Sequence, residues 1–266
     1  MNFLHNFLPQ PIFFEWGFIT VRFYGLIIAI ALVVCFSVAL YLARKRNMDW
    51  DDLYDLAFWL ALSGIIGARL YDVFLIEWNY FGSHPWEILA IWHGGLAIHG
   101  AIIGGVISLI VWCQIKKKSF WQFAGLLFTV LPLGQAIGRW GNYFNQELFG
   151  GPTTLSWGIP IAIANRPEQY LNYQYFHPAF LYESILNLIL FFILLFLYKK
   201  NRRPGEIILS YLMGYAVIRF SMEFIRIDVT SLVFGMRLPQ LVSAVVFVVC
   251  AGVLIFRRNK LFFAKS

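Results

Sequence analysis

The sequence predicts an all-α integral membrane protein. Seven transmembrane helices are expected, with the N-terminus outside, the C-terminus cytoplasmic and a small outward-facing loop region. Three observations predict it. Of the 266 residues, 60% are hydrophobic and 13% charged, and the mean hydropathy is +0.68, outside the range of soluble domains. The apolar residues fall in blocks long enough to cross a bilayer. The basic residues cluster at Arg44-Lys45-Arg46, Lys116-Lys117-Lys118, Lys199-Lys200 with Arg202-Arg203, and Arg257-Arg258 with Lys260 and Lys265. Each cluster follows an apolar run, as cytoplasmic loops do under the positive-inside rule. The net charge of +7 is therefore mostly topology, which argues against a nucleic-acid binder.

In chain order, residues 1–16, rich in aromatics and holding two prolines, predict an interfacial segment. No charged leader precedes Arg22, so the first apolar run is expected to be a retained helix and not a cleaved signal. Spans are predicted at 19–43, 53–75, 94–114, 121–137, 179–198, 206–224 and 239–256. The four basic clusters follow spans one, three, five and seven, and an odd count is what that requires. The whole chain, 1–266, reads as one polytopic domain. Its longest outward connection, 138–178, forms the loop or head region. Cys35, Cys113 and Cys250 lie in or at the end of apolar runs and read as small buried hydrophobes. Their spacing fits neither a disulfide framework nor a zinc site.

The two cations are distributed unequally. All eight lysines lie in the cytoplasmic clusters, whereas Arg22, Arg69, Arg139, Arg166, Arg219, Arg226 and Arg237 fall inside spans or toward the outer face. A charge near the bilayer centre costs about 2.5–3.5 kcal/mol on insertion scales, so these arginines need partners. Guanidinium binds phosphate or carboxylate with two parallel hydrogen bonds, which ammonium does not. The acids nearby are fewer than the arginines, and the outer half of the bundle reads as an anion site.

The sixth span, "EIILSYLMGYAVIRFSMEFIR", puts Tyr215, Arg219 and Glu223 four residues apart, with Arg226 three further on, along one helix face. Arg219 lies roughly 20 Å from the cytoplasmic start at 1.5 Å per residue, in the outer half of the membrane. In "WHGGLAIHGAIIGG", His93 and His99 flank a Gly-Gly pair, and an imidazole is suited to take a proton near neutral pH. Gly95, Gly100, Gly104 and Gly105 permit close helix approach. Arg22 and Tyr24 lie near the outer end of the first span, and His177 and Glu183 mark that of the fifth. The stretch "GRWGNYFNQELFG", Gly138–Gly150, then brings Arg139, Asn142, Asn145 and Glu147 to the outer end of the fourth span. Its glycines allow close ligand approach, and its amides can bind hydroxyls or ester carbonyls.

These blocks resemble those of the bacterial prolipoprotein diacylglyceryl transferases. "GRWGNYFNQELFG" is similar to the family signature G-R-x-G-N-[FY]-x-N-x-E-x-x-G. "VRFYGL", "HGGLAIHG", "HPAFLYE" and "GYAVIRFSMEFIR" match further blocks in the expected order, so the resemblance spans roughly residues 18–256. It implies transfer of a diacylglyceryl group from phosphatidylglycerol to a lipobox cysteine thiol of a prolipoprotein signal peptide. The products are a thioether and glycerol phosphate. It implies Arg139 and Arg219 as lipid-phosphate contacts and His99 as the candidate base, with His93 ranked below it. Asn142, Asn145, Glu147 and Gly150 become site-shaping residues, and Tyr24, Tyr215, Glu223 and Arg226 line or orient the same cavity. It also implies a monomer in the bacterial plasma (inner) membrane among membrane lipid, its active site toward the outer leaflet, without metal, cofactor or nucleic acid. Two positions depart from the family pattern: Ala101, where a glycine is expected, and Gly125, where an acid is common.

Other functions fit less well. An anion transporter would show inverted halves with matching broken helices, and no such duplication is visible. The motifs of lipid phosphatases and phosphoalcohol transferases are absent, and Ser63-Gly64 reads as a packing face and not as a protease nucleophile. A non-catalytic lipoprotein-binding protein would keep the cavity but show no turnover. Cys35, preceded by "LVV" deep in the first span, does not resemble a lipobox.

Overall fold

The computed structural model describes residues 2–17 and 19–263. The side chains of His93 and of the last basic cluster lie outside the described residues. Among the described residues six helices are long and apolar enough to cross a membrane, in keeping with an all-α integral membrane protein. The chain divides into two compact units, residues 39–124 and residues 1–38 with 125–266.

The 39–124 unit is built on α3 (Trp50–Tyr71), extended by a π-turn over Asp72–Ile76, with α4 (Trp78–Ser83) and α5 (Ile98–Ile115). Asp49 caps α3 by accepting from the Asp51 amide at 3.1 Å, the N-cap role for which a short acidic side chain is suited. The α3–α5 contact is made backbone to backbone at glycines. A Cβ on Gly67 would strike the Gly100 carbonyl, and one on Gly104 the Ser63 carbonyl, so these positions exclude any larger residue. Arg69 is buried here. It donates through Nε to the Ile88 carbonyl at 2.9 Å and through Nη1 to those of Gly94 and Gly95 at 2.7 and 3.0 Å, with Asp72 at 4.0 Å. It fastens the segment before α5 and does not belong to the anion-facing set expected of it. At the basic end, Lys116 pairs with Asp55 at 2.8 Å and Lys118 with Asp52 at 2.5 Å.

The larger unit opens with α1 (Asn2–Asn6) and an antiparallel hairpin of β1 (Ile12–Trp16) and β2 (Ile19–Arg22). Residues 19–22, expected in the first span, pair as a strand. The helix α2 (Phe23–Arg44) starts only at Phe23, so Arg22 ends the hairpin. Most of α6 (Phe120–Phe144) follows, then a long connection in which β3 (Ile159–Pro160) pairs with β4 (Tyr175–Phe176). After it come α7 (Ala179–Lys199), α8 (Pro204–Met222), a short hairpin of β5 (Leu232–Val233) and β6 (Met236–Arg237), and α9 (Leu238–Phe263). An aromatic and aliphatic core of Tyr143, Phe149, Ile159, Ile161, Phe176 and Phe180 roots the connection on α6 and α7.

The fourth and sixth spans also differ from expectation. The fourth span was expected to end at 137, but α6 runs to Phe144, so Gly138–Phe144 are helical. Glycine weakens a free helix by about 1 kcal/mol relative to alanine; at Gly141 the ring of Tyr24 occupies the space a Cβ would take. The expected sixth span, α8, is a helix of 19 residues but is not among the six most apolar ones. Glu206, Tyr211, Tyr215 and Arg219 lower its apolarity.

Candidate functional site

The last turns of α6 place Arg139 and Asn142 one turn apart, and Arg139 Nη1 donates to Asn142 Oδ1 at 3.1 Å. Asn142 Nδ2 in turn donates to Glu147 Oε1 at 2.6 Å. Glu147 can reach back because the chain reverses around it: Gln146 and Leu148 have φ of 53° and 55°. The left-handed conformation costs a non-glycine residue roughly 1–2 kcal/mol. Gln146 is held there from both sides of its amide, donating to the Pro9 carbonyl at 2.7 Å and accepting from the Ala162 amide at 2.6 Å. Gly150 closes the motif. Its amide donates to the His177 carbonyl at 2.9 Å, it bridges Arg226 in antiparallel fashion, and a Cβ would stand 2.7 Å from both His177 and Ile225. Glycine is needed here for close passage of two chain segments. Asn145 is half-buried at the helix end.

Two buried carboxylates organise the arginines. Glu183 on α7, 3% exposed, lies 2.5 Å from Arg139 Nε and 3.1 Å from Arg226 Nη1. Glu223, just past α8 and 2% exposed, lies 2.7 Å from Arg219 Nη2 and 2.9 Å from Arg237 Nε. The two clusters are joined, because Arg237 Nη1 donates to the carbonyls of Glu223 and Arg226 at 2.9 and 2.6 Å and Nη2 to that of Asp228. Arg226 Nε also donates to Asp228 Oδ1 at 2.8 Å. Burial pushes the Asp228 carboxyl up, but the Arg226 hydrogen bond and charge outweigh it and hold it below the usual carboxylate range. Burial likewise works against the Arg226 guanidinium, and Asp228 and Glu183 more than compensate, keeping it firmly protonated.

The arginines thus separate by how fully they are used. Arg226 and Arg237 are bound through several nitrogens to acids and carbonyls. Arg139, with its side chain 19% exposed, and Arg219, 22% exposed, each keep part of the guanidinium unengaged. Among the described residues, Arg139 Nη2 and Arg219 Nε and Nη1 make no hydrogen bond to the protein. Tyr24 packs on Gly141, and Tyr215 stacks on Tyr211 at 5.9 Å. The Tyr211 hydroxyl accepts from Gln135 Nε2 at 2.9 Å, one turn below Arg139 on α6. The larger unit therefore holds Tyr24, Arg139, Asn142, Asn145, Glu147, Gly150, Tyr215, Arg219, Glu223 and Arg226. His99 belongs to the 39–124 unit, exposed in the first turn of α5 with its ring 5.7 Å from that of Tyr71.

Sequence reasoning missed the parts played by Glu183, Asp228, Arg237 and Gln135. Glu183 had a visible signal, as the lone acid in the 21 residues of α7, where an unpaired charge would be costly. Arg237 stood in the arginine-only set but outside any helical stripe. Among the described residues no group of three or more His, Cys, Asp or Glu side chains could hold a metal ion. Gly125, the departure where an acid is common, packs on Pro204, whose Cβ would lie 2.8 Å from an added side chain, which leaves an acid no room.

Guanidinium edges held rigidly by buried carboxylates are suited to an anion whose charge grows during a reaction. Fold and side chains together define a multi-pass membrane protein with an arginine cluster fit to bind an anion at its helix ends. A sequence model of the prolipoprotein diacylglyceryl transferases matches residues 11–256. Relatives named phosphatidylglycerol–prolipoprotein diacylglyceryl transferase share 45% identity in Nostoc sp., over 88% of this chain and 84% of theirs. In Thermosynechococcus vestitus the figures are 43%, 87% and 86%, and in Parasynechococcus marenigrum 42%, 90% and 91%. The chain belongs to the prolipoprotein diacylglyceryl transferase family.

Proposed function

We propose that this chain transfers the diacylglyceryl group of phosphatidylglycerol to the lipobox cysteine of prolipoproteins, the first step of lipoprotein maturation. The thiolate sulfur attacks the glyceryl carbon that carries the phosphate ester. The carbon–oxygen bond breaks with its electron pair on the phosphate oxygen, the thioether forms, and glycerol phosphate leaves. A diester monoanion becomes a monoester with a further negative charge, so donors aimed at that oxygen favour the transition state over the ground state. Arg139 and Arg219 fill this role, Asn142 and Glu147 hold Arg139 and the loop around it, and Tyr24 and Tyr215 line the lipid's place. His99 takes the thiol proton. The observation that carries this reading is the pair of arginines with partly exposed guanidinium groups, each anchored on a buried carboxylate.

We assign seven spans, with the N-terminus and the site toward the outer leaflet of the bacterial plasma membrane. Lys199-Lys200 and Arg257-Arg258 both belong on the cytoplasmic side, which requires α8 to cross outward between them. Its 19 residues reach about 28 Å, close to the hydrocarbon thickness. The chain works as a monomer without cofactor or nucleic acid. The test is mass spectrometry of a lipobox peptide incubated with the purified protein and phosphatidylglycerol. A diacylglyceryl mass shift on the cysteine is expected, and it should vanish with Arg139→Ala. No shift from folded protein would turn the arginines into a binding or transport site.

A further inference from the structure

We propose that Glu183 is the positioning residue for Arg139, an inference that rests on the transferase reading above. Burying a carboxylate is unfavourable unless its oxygens are matched, and Glu183 divides its two between Arg139 Nε at 2.5 Å and Arg226 Nη1 at 3.1 Å. Arg226 is itself pinned by Asp228 at 2.8 Å, so Glu183 is held from behind. It grips Arg139 by the inner Nε edge, while Asn142 takes Nη1. Two contacts on different nitrogens fix the plane of the guanidinium and leave Nη2 for a ligand. A planar donor is useful to a phosphate only when its plane is set beforehand. Without the Glu183 charge, Arg139 and Arg226 face each other with no carboxylate between them, and Arg139 loses its orientation while keeping its charge.

The experiment compares Glu183→Gln in the wild-type and Arg139→Lys backgrounds, using the full-length protein, phosphatidylglycerol and a lipobox peptide. A residue acting through Arg139 is strongly non-additive with it. Glu183→Gln is expected to lower kcat by at least about tenfold in the wild-type background, and by less than about threefold where position 139 is already lysine, with the peptide KM nearly unchanged. Glu183→Asp, which keeps the charge one methylene shorter, should recover part of the loss. Equal losses in both backgrounds, or no loss at all, would overturn the proposal. So would failure of both Glu183 variants to fold, judged by melting in detergent, since the side chain would then serve the bundle and not Arg139. Wild-type turnover run alongside separates the two readings: its absence removes the transferase assignment itself, whereas a Glu183 effect independent of Arg139 leaves that assignment standing.

Discussion

At the scale of single residues, the site works by division of labour among like charges. Arg226 neutralises buried acids and Arg237 adds bonds to carbonyls, while Arg139 and Arg219 keep partly exposed guanidinium groups, the pair proposed above to meet the ligand. Loss of one transition-state donor typically costs about 10²–10³ in kcat. Arg219→Gln should therefore lower kcat by roughly that factor, read from initial rates of peptide lipidation. Asp228 makes a prediction about pH. Its carboxyl is held below the usual range in the folded chain, so its contribution to stability is complete above the unfolded value, about 3.9, and disappears as pH falls through the lower folded value. Asp228→Asn should melt at a lower temperature than wild type at neutral pH, and the difference should shrink below about pH 4. Melting curves in detergent across that range would show it, and a constant gap would remove the ion pair as the cause.

At the scale of elements, the signature is half helix and half reversal. The three glycines of its ends and middle are not equivalent. A Cβ on Gly138 meets only Ile28, at an ordinary 3.6 Å, whereas one on Gly141 comes within 2.7 Å of the Tyr24 ring and one on Gly150 within 2.7 Å of His177 and Ile225. Overpacking typically costs about 1–3 kcal/mol, while alanine for glycine in an open helix gains up to about 1 kcal/mol. Gly138→Ala should thus hold or raise the melting temperature, and Gly150→Ala should lower it by several degrees. A Gly150→Ala protein as stable as Gly138→Ala would mean that the loop and the segment before Arg226 do not need their close approach. Past the helix, the left-handed residues Gln146 and Leu148 turn Glu147 back toward Asn142, and the Gln146 amide bonds keep the reversal in place.

At the scale of the whole molecule, the proposed topology rests on the arrangement of charge along the helix ends. The lysine-bearing loops and the arginine-only ends should be chemically distinguishable in living cells. In a cysteine-free background, Val229→Cys, at a fully exposed position before β5, should react with a membrane-impermeant maleimide in intact cells. Lys117→Cys, exposed at the end of α5, should react only after lysis. Equal labelling of both in intact cells would invalidate the proposed orientation. The same reading makes α8 a span despite its polarity, since its polar residues are matched within the protein: Tyr211 by Gln135 and Arg219 by Glu223.

Helix type and placement were legible in the sequence because membrane insertion imposes a local rule. A backbone in hydrocarbon must satisfy its own hydrogen bonds, so about 20 apolar residues announce a helix wherever they occur. The basic clusters and the arginine-only set stood out for a similar reason: charge is costly enough in lipid that each residue's position carries meaning by itself. What each arginine is paired with was not readable. Glu183 reaches Arg139 and Arg226 from 44 and 43 positions away, and Arg237 reaches Glu223 around a hairpin with no helical period. Such pairings depend on which helix faces are brought together and on where α6 stops, and the latter was misplaced because Gly141 looks like a breaker until Tyr24 is seen against it. One-dimensional pattern determined the apolar helices, six of them among the described residues, and the family to which the chain belongs. Only tertiary packing decided which arginines are bound on several sides by the protein and which keep a partly exposed guanidinium, because burial and pairing are properties of neighbours in space.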